Sequence, residues 1–376
     1  MFEKNKKILL IFGTRPEAIK MAPLVIELKK HKDFKTIVCV TGQHREMLDQ
    51  VMDAFGIKAD FDLDIMKEKQ SLTSITTAVL TKLEPVLKAE KPDLVLVHGD
   101  TTTSVAAAMA AFYQQIPVGH VEAGLRTGNI YSPFPEEMNR IMIDRISSVY
   151  FAPTKLNEQN LKREGISKNI FVTGNTVIDA FAYTVKSSYR FHEDKLNGID
   201  YEKRKVVIVT AHRRENLGKP LENICNAILR LSEKYKDLLF VYPVHLNPVV
   251  RNTVTEFLAN KSNMLLLNPI DVLDMHNLMA RCFIVMTDSG GIQEEAPHFG
   301  KPVLVLRTET ERPEAVEAGT VKVVGIEEET IFADAENLID NAETYNKMAN
   351  AVNPYGDGHA SERIVKLIEE LVLWVN

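Results

Sequence analysis

Acidic and basic side chains in this sequence stand where short apolar runs end. Asp100 closes the segment DLVLVHGD, and Glu122 follows the apolar residues 118–121. Glu136 lies in the proline-rich stretch YSPFPEEMNR, and His212 follows the run 206–210, ahead of two arginines. Three carboxylates near one site repel one another, so at least one pKa should rise. A group with such a pKa is suited to general acid or base catalysis.

A first strand-to-helix turn is suited to binding an anion. Residues 13–17, Gly-Thr-Arg-Pro-Glu, follow the apolar run 8–11, and Pro16 fits the first position of a helix. The free amides and the dipole of such a helix attract phosphate, and Arg15 and Lys20 add positive charge. The alternative is that both cations lie on a solvated surface.

A second turn of this kind is the segment MTDSGGIQEEA at residues 286–296. Ser289 would open a helix, and the adjacent Gly290 and Gly291 allow a ligand to approach the backbone closely. Glu295, about one turn further on, could accept hydrogen bonds from sugar hydroxyls. A plain helix start with an acidic first turn is the alternative. Two anion-binding turns in facing domains suit a nucleoside diphosphate.

The carboxylates also have structural alternatives. Asp100 could cap a helix ahead of Thr101, and Glu136 could be an ordinary acid in the first turn of a helix. His98 with Asp100, and His120 with Glu122, have the i, i+2 spacing that could place metal ligands on one strand face. We favour a site without metal, because strand residues before the end usually point into the core.

The elements that must position these residues alternate between short β-rich runs and helical patterns. Such apolar strands are typical of a parallel sheet buried on both faces, and two successive series predict two doubly wound α/β domains facing a cleft. We expect domains at 1–175, joined by a last helix at 361–376, and at 176–360. The expected strands are Lys7–Phe12, Lys35–Val40, Leu94–His98, Val118–Val121, Ser148–Ala152, Ile170–Thr173, Val206–Thr210, Leu238–Val241, Met264–Leu267, Phe283–Thr287, Pro302–Leu306 and Val321–Val324.

Composition excludes several classes of protein. The chain has 376 residues, 45% of them hydrophobic, and a net charge of -6, which disfavours binding to nucleic acid or to an anionic membrane. The first apolar run is too short for a signal peptide or a membrane span, so we expect a cytoplasmic protein. The three cysteines, Cys39, Cys225 and Cys282, fit no metal spacing and should be buried thiols.

Long motifs in a fixed order extend over nearly the whole chain, from residue 7 to about residue 365. The sequence thereby resembles the non-hydrolysing UDP-N-acetylglucosamine 2-epimerases. The resemblance implies a glycosyltransferase-B-like pair of Rossmann-like domains, a last helix that crosses back to the first domain, a homodimer, and no metal or other cofactor. The motifs are FGTRPEAIKMAPL, TGQHREML, VLVHGDTTT, GHVEAGLRTG, YSPFPEEMNR, TGNTVIDA, YPVHLNP, TDSGGIQEEAP, ERPEAVEAGT and NPYGDGHASERI.

The resemblance also implies roles for individual positions. Asp100, Glu122 and Glu136 match the catalytic carboxylates of the family, and His212 matches its catalytic histidine. Ile270 and Met275 match variable positions beside the uracil, so backbone groups should hold that ring. The positions that match contacts to the nucleotide sugar are Arg15, Lys20, Asp100, Glu122, His212, Ser289, Gly290, Gly291, Glu295 and Arg312.

A candidate allosteric site follows from the same resemblance. Gln43 and His245 match the site where many bacterial relatives bind a second substrate molecule. Glu46 and Lys69 stand where strongly activated members carry Gln and Arg. This difference argues against activation of the present chain by its substrate.

The implied reaction interconverts UDP-N-acetylglucosamine and UDP-N-acetylmannosamine through 2-acetamidoglucal and UDP, and supplies cell-surface polysaccharide synthesis. The sequence leaves open which carboxylate is the base. It also leaves open a glycosyltransferase, a hydrolysing relative, an epimerase of a 2,3-diacetamido-uronate nucleotide, and a nucleotide-sugar sensor.

Overall fold

The chain forms two compact units in the computed structural model, which describes residues 5–42, 45–67 and 70–372, with the side chains of 45–47 and 372 left aside. Unit 1 comprises Met1–Tyr183 and Tyr355–Asn376, and unit 2 comprises Thr184–Pro354.

The core of unit 1 is a seven-stranded parallel sheet. Its strands are β1 (Lys6–Phe12), β2 (Phe34–Val40), β3 (Phe61–Asp62), β4 (Leu94–His98), β5 (Val118–Val121), β6 (Val149–Ala152) and β7 (Ile170–Val172). They lie in the order β3-β2-β1-β4-β5-β6-β7. The order reverses between β1 and β4, where Leu9 pairs with both Ile37 and Val95. Ligands of doubly wound folds bind beyond the carboxyl ends of strands at such a reversal.

Helices connect these strands, as parallel pairing requires. They are α1 (Arg15–Lys30), α2 (Arg45–Ala54), α3 (Leu72–Glu90), α4 (Thr102–Tyr113), α5 (Glu136–Ile146), α6 (Lys155–Arg163) and α7 (Thr176–Thr184). Strand residues 8–12 have no exposed surface, because helices cover both faces of the sheet.

Unit 2 repeats this plan with a six-stranded parallel sheet. Its strands are β8 (Val206–Thr210), β9 (Leu239–Pro243), β10 (Met264–Leu267), β11 (Ile284–Thr287), β12 (Val303–Val305) and β13 (Val321–Val323), in the order β10-β9-β8-β11-β12-β13. Its helices are α8 (Asp194–Asn197), α9 (Lys219–Lys234), α10 (Pro248–Leu258), α11 (Val272–Arg281), α12 (Gly290–Glu295), α13 (Pro313–Ala318), α14 (Glu328–Asp340) and α15 (Ala342–Ala349), with short 3₁₀ helices at Arg214–Asn216 and Ala296–Phe299.

The last helix, α16 (Ala360–Val372), returns to unit 1 and packs against α1. Asp179 in α7 accepts hydrogen bonds from the amides of Ala360 (3.1 Å) and Ser361 (2.5 Å), which fixes the start of the helix. His31 and Glu369 join α1 to α16 at 2.6 Å. The predicted return of the final helix to the first domain is therefore confirmed.

The predicted strands are confirmed to within two residues at their ends, and one strand was missed. β3 has only two residues and pairs with Cys39 and Val40 at the edge of the sheet, so it leaves no apolar run in the sequence. The three thiols are buried as predicted. Among the described residues, no helix has the length and apolar character needed to cross a membrane.

Candidate active site

The turn between β1 and α1 is closed by its own side chains. Thr14 caps α1, and Glu17 completes a capping box, because its Oε2 accepts hydrogen bonds from the amides of Gly13 (2.9 Å) and Thr14 (2.7 Å). The prediction that free amides at this helix start face an anion is therefore wrong for these two groups. Positive charge at this turn comes from Arg15 instead, whose guanidinium pairs with none of the described residues.

Glu17 also joins this turn to the next one along the sheet. Its Oε1 accepts hydrogen bonds from the hydroxyls of Thr101 (2.6 Å) and Ser104 (2.7 Å) at the start of α4. The side chain is 2% exposed, and these hydroxyls and the two amides satisfy its charge. Sequence reasoning gave Glu17 no role, although the spacing Thr-x-x-Glu is a signal for a capping box.

Glu122 follows β5 directly, with a left-handed backbone (φ 67°). Its Oε2 accepts hydrogen bonds from the Lys20 ammonium and from Asn175 Nδ2 (2.7 Å), and His98 Nε2 lies 3.6 Å away. Among the described residues no donor contacts Oε1, which lies beside Gly99. Lys20 and Asn175 thus fix one oxygen of this carboxylate, which we call clamped, whereas no described donor contacts the other, which we call open.

The charge state of Glu122 follows from these contacts. Burial opposes ionisation, but Lys20 and His98 outweigh it and hold the pKa of Glu122 well below its usual value. The pKa of this carboxylate is thus lowered rather than raised, because the nearest charges are cations rather than other carboxylates.

Asp100 is clamped in the same one-sided way. Its Oδ2 accepts two hydrogen bonds from Arg140, from Nε at 2.9 Å and Nη2 at 2.6 Å, while none of the described residues donates to Oδ1. Thr101, not Asp100, caps α4, so the capping alternative for Asp100 is wrong. Arg140 also binds Glu137 (2.9 Å), and Asn139 donates to the Asp100 carbonyl (2.8 Å).

Glu136 is the first residue of α5, so its alternative as an acid in the first helical turn agrees with the structure. Its Oε2 is nevertheless buried and accepts no hydrogen bond from the described residues. Stabilisation of a helix dipole needs no buried, unpartnered oxygen, and a buried acceptor of this kind is costly until something donates to it.

The metal alternative fails at His120. Its Nδ1 contacts Asp144 Oδ1 (2.6 Å) and its Nε2 contacts the Gly99 carbonyl (2.8 Å), so neither nitrogen has a lone pair free for a metal. Elsewhere among the described residues, ligand atoms of His192, Asp271 and Asp274 lie within 4.8 Å of one another. The Asp274 oxygens there already accept from a tyrosine hydroxyl and two backbone amides, which serves the local fold.

In unit 2, Asp288 positions His212. Asp288 is fully buried after β11, and its Oδ2 accepts the amides of His212 (2.7 Å) and Arg213 (2.8 Å) and the side-chain amide of Asn216 (3.0 Å). Its Oδ1 lies 3.3 Å from His212 Nδ1. Burial opposes ionisation, but the His212 ring and the amides lower the pKa of Asp288. The His212 ring is 40% exposed, so its Nε2 is available to a ligand.

The start of α12 is open, in contrast to that of α1. Ser289 makes no side-chain cap, so the first amides of the helix have no partner within it. Arg312 lies directly over Gly290, where a Cβ would come within 2.6 Å of its Nη1. Arg312 is held by Glu294 (2.7 Å) and Glu311 (2.9 Å), which aims the guanidinium.

Arg213 has an internal anion as its partner. Glu311 contacts Arg213 (3.0 Å), Arg307 (2.6 Å) and Arg312 (2.9 Å). Burial opposes ionisation of Glu311, but the three arginines lower its pKa to about 2. The cations after His212 therefore do not by themselves indicate a bound phosphate.

Several of the remaining predicted positions also belong to unit 2. Glu295 Oε2 is 3.9 Å from His276 Nε2, and Gly291 precedes it by one helical turn. His245 stacks on His212, with ring centroids 5.2 Å apart. Ile270 and Met275 are half-buried before and within α11. Gln43, Lys69 and the side chain of Glu46 lie outside the described residues, so the candidate allosteric site stays a prediction.

Comparison with known proteins identifies the family. Residues 26–369 match the family model for UDP-N-acetylglucosamine 2-epimerase. The UDP-N-acetylglucosamine 2-epimerase of Bacillus subtilis (strain 168) is 55% identical over 364 residues, which cover 96% of this chain and 95% of the relative.

Solved structures agree with this match. The crystal structure of UDP-GlcNAc 2-epimerase from Neisseria meningitidis bound to UDP-GlcNAc is 51% identical, covers 97% of this chain and 100% of its own, and has a TM-score of 0.86. S. aureus MnaA in its co-structure with UDP is 50% identical over 98% of each chain, with a TM-score of 0.89. The predicted fold class, two doubly wound α/β domains of the glycosyltransferase-B-like type, is confirmed.

Proposed function

The chain belongs to the UDP-N-acetylglucosamine 2-epimerase family, and we propose that it interconverts UDP-N-acetylglucosamine and UDP-N-acetylmannosamine by eliminating UDP and adding it back. The observation that carries this proposal is the pair of half-clamped carboxylates. Glu122 and Asp100 each have one oxygen fixed by a cation and one oxygen open.

The chemistry explains why UDP must leave. The C2 hydrogen of the sugar is a very weak acid, since no carbonyl adjoins that carbon. When the C1–O bond to UDP breaks, positive charge develops at C1 and acidifies the C2–H bond. A carboxylate takes the proton, the C–H electron pair forms the C1=C2 double bond of 2-acetamidoglucal, and UDP carries away the electrons of the C1–O bond. Re-addition returns a proton to the opposite face of C2.

Glu122 is suited to take the proton. Its low pKa keeps it ionised at neutral pH, and its open Oε1 can approach a ligand while Lys20 and Asn175 hold Oε2. A general base positioned in this way typically contributes ~10²–10⁴-fold to the rate. Asp100 and Glu136 are the candidates to supply the proton on the other face.

Unit 2 supplies the groups that hold UDP in this proposal. The open amides of Gly290 and Gly291 and the guanidinium of Arg312 stabilise the departing diphosphate. The ring of His212, fixed by Asp288, donates to the same leaving group. Glu295 accepts hydrogen bonds from ribose or sugar hydroxyls. Structures of relatives with UDP-GlcNAc or UDP bound support this ligand class.

The experiment is incubation of the protein with UDP-N-acetylglucosamine alone in deuterated buffer, followed by proton NMR. We expect UDP-N-acetylmannosamine to appear and deuterium to enter C2 of the product. Variants D100N, E122Q and E136Q should each lose ~10²–10⁴-fold in kcat while remaining folded. E84Q, which alters an exposed acid that pairs with Lys88, is the matched control and should retain full turnover.

Other outcomes would identify other functions. Free N-acetylmannosamine would indicate a hydrolysing enzyme, and turnover that requires an acceptor would indicate a glycosyltransferase. Binding without any product over hours would indicate a sensor. Unlabelled product would refute the elimination route.

The family resemblance supports three further proposals, namely a homodimer, a cytoplasmic location and a role in supplying cell-surface polysaccharide synthesis. Light scattering after size exclusion tests the first: a mass near twice the 42.4 kDa of one chain is expected, and a mass of one chain would refute it.

A further inference from the structure

A buried chain of polar side chains runs behind the two half-clamped carboxylates. His120 and Asp144 both have no exposed surface. His120 Nδ1 contacts Asp144 Oδ1 at 2.6 Å, and Asp144 Oδ2 accepts from Arg126 Nη2 at 2.6 Å. Arg126 in turn binds Glu164 through Nε (2.7 Å) and Nη2 (2.9 Å). None of these side chains has a place in the reaction proposed above.

Both hydrogen-bond partners of the His120 ring are acceptors. Its Nε2 lies 2.8 Å from the carbonyl oxygen of Gly99, which can only accept a hydrogen bond. Its Nδ1 faces a carboxylate that also pairs with Arg126. A ring with a hydrogen on each nitrogen would donate to both acceptors. Burial opposes ionisation of Asp144, but His120 and Arg126 lower its pKa.

The Gly99 carbonyl is the point where this chain reaches the site. Gly99 has a left-handed backbone (φ 63°) and precedes Asp100, so the orientation of the 99–100 peptide sets the direction of the Asp100 side chain. Its carbonyl is held by His120, and the next carbonyl, that of Asp100, is held by Asn139. His120 is also a residue of β5 and lies two positions before Glu122, which follows this strand. The same residue is therefore connected to Glu122 through the chain and to Asp100 through the Gly99 carbonyl.

We propose that His120 is a positioning residue for the epimerisation: its imidazolium, held by Asp144, donates to the Gly99 carbonyl and thereby fixes the Asp100 turn beside the open oxygen of Glu122. The inference rests on the proposed function. It assigns a task to a buried cation that neither binds substrate nor exchanges a proton with it. Misplacement of a reacting group by about 1 Å can cost ~10²-fold in rate, so loss of this single hydrogen bond should be measurable.

Two substitutions separate the two hydrogen bonds of the ring. An Asn amide reaches about as far as Nδ1, so H120N keeps a donor toward Asp144 and loses the one toward Gly99. A Gln amide reaches about as far as Nε2, so H120Q keeps the donor toward Gly99 and loses the one toward Asp144. Both remove the same buried charge, so we expect similar losses in melting temperature.

The positioning role predicts different kinetics for the two variants. H120N should lose about 10–100-fold in kcat, H120Q should retain at least tenfold more activity than H120N, and the Kd for UDP by calorimetry should change less than about twofold in both. H31Q, which removes the surface histidine paired with Glu369, is the control and should match the wild type. Equal kcat in H120N and H120Q, with losses that follow their melting temperatures, would overturn the positioning role.

A second readout is independent of activity. Nitrogen-15 NMR of histidine-labelled wild-type protein, assigned with the variants, should show two protonated ring nitrogens for His120 at the assay pH. One unprotonated nitrogen would overturn the proposal. If the wild type does not convert UDP-N-acetylglucosamine, the proposed function fails. If the wild type turns over normally but H120N and H120Q have the same kcat, only the positioning role of His120 is refuted.

Discussion

Removal of the Lys20 ammonium, by K20M, should destabilise unit 1 far more than removal of an ordinary surface cation. The Lys20 and Glu122 side chains are 13% and 11% exposed, so the substitution leaves a buried carboxylate without its main cation. Breaking a buried pair from one side typically costs ~3–5 kcal/mol. At roughly 2–4 °C per kcal/mol for a domain of this size, the melting temperature should fall by about 6–20 °C.

The dependence of this loss on pH follows from the pKa of Glu122. That pKa lies below the unfolded value of about 4.3, so ionisation of Glu122 stabilises the fold fully above pH ~4.3. The stabilisation is lost as the pH falls through the folded pKa. The loss in melting temperature of K20M relative to wild type should therefore be largest near pH 7. It should shrink as the pH falls below about 5, where the Glu122 carboxyl, left without Lys20, can take up a proton.

Two controls make the assay decisive. K20M/E122Q carries no buried charge at this position and should recover most of the loss, a coupling that a double-mutant cycle measures directly. K30M removes the exposed partner of Glu27, a lysine whose side chain is 57% exposed, and should cost at most about 1 kcal/mol. Differential scanning calorimetry at pH 7 and pH 4.5 provides the readout. If K20M has the same melting temperature as K30M, or K20M/E122Q has the same melting temperature as K20M, the account of the Lys20–Glu122 pair is wrong.

Two further predictions concern unit 2 and the thiols. G290A should weaken UDP binding by at least tenfold in calorimetry, because the added Cβ would lie 2.8 Å from the guanidinium carbon of Arg312. In the control G291A, the added Cβ meets only the far end of Glu295 at 3.3 Å, so binding should weaken less. Equal affinities of the two variants for UDP would contradict this prediction. Burial raises the pKa of the three thiols, those of Cys39, Cys225 and Cys282, to about 12. An alkylating reagent at pH 8 should therefore modify none of them in the folded protein and all three in denaturant. Mass spectrometry counts the modified thiols.

The placement of several candidate residues could be predicted because ligands of doubly wound folds bind beyond the carboxyl ends of strands. The apolar runs that form β4 and β5 end just before Asp100 and Glu122, and parallel strands place those ends at one edge of the sheet. Chain order alone therefore indicated that the two carboxylates lie together. The same reasoning found the open turn at Ser289, because strand β11 precedes it.

The partners of these residues were not predictable in the same way. Lys20 and Glu122 are 102 positions apart and meet only because α1 packs beside β4, the strand next to β5 in the sheet. Asp288 acts through a residue 76 positions earlier, His212, for the same reason: β11 pairs with β8. No local pattern reports such a contact, because it depends on the order of the strands.

The sequence by itself determined the elements and the chemistry available at their ends, since hydrophobic periodicity and strand-end residues are local properties of the chain. Tertiary structure decided which of those groups are free. It closed the α1 turn with Glu17, left the α12 turn open, and gave Asp100 and Glu122 one clamped oxygen each. The physical reason is that the charge and direction of a buried carboxylate depend on whichever donors and cations the packed sheet brings within about 3 Å of it.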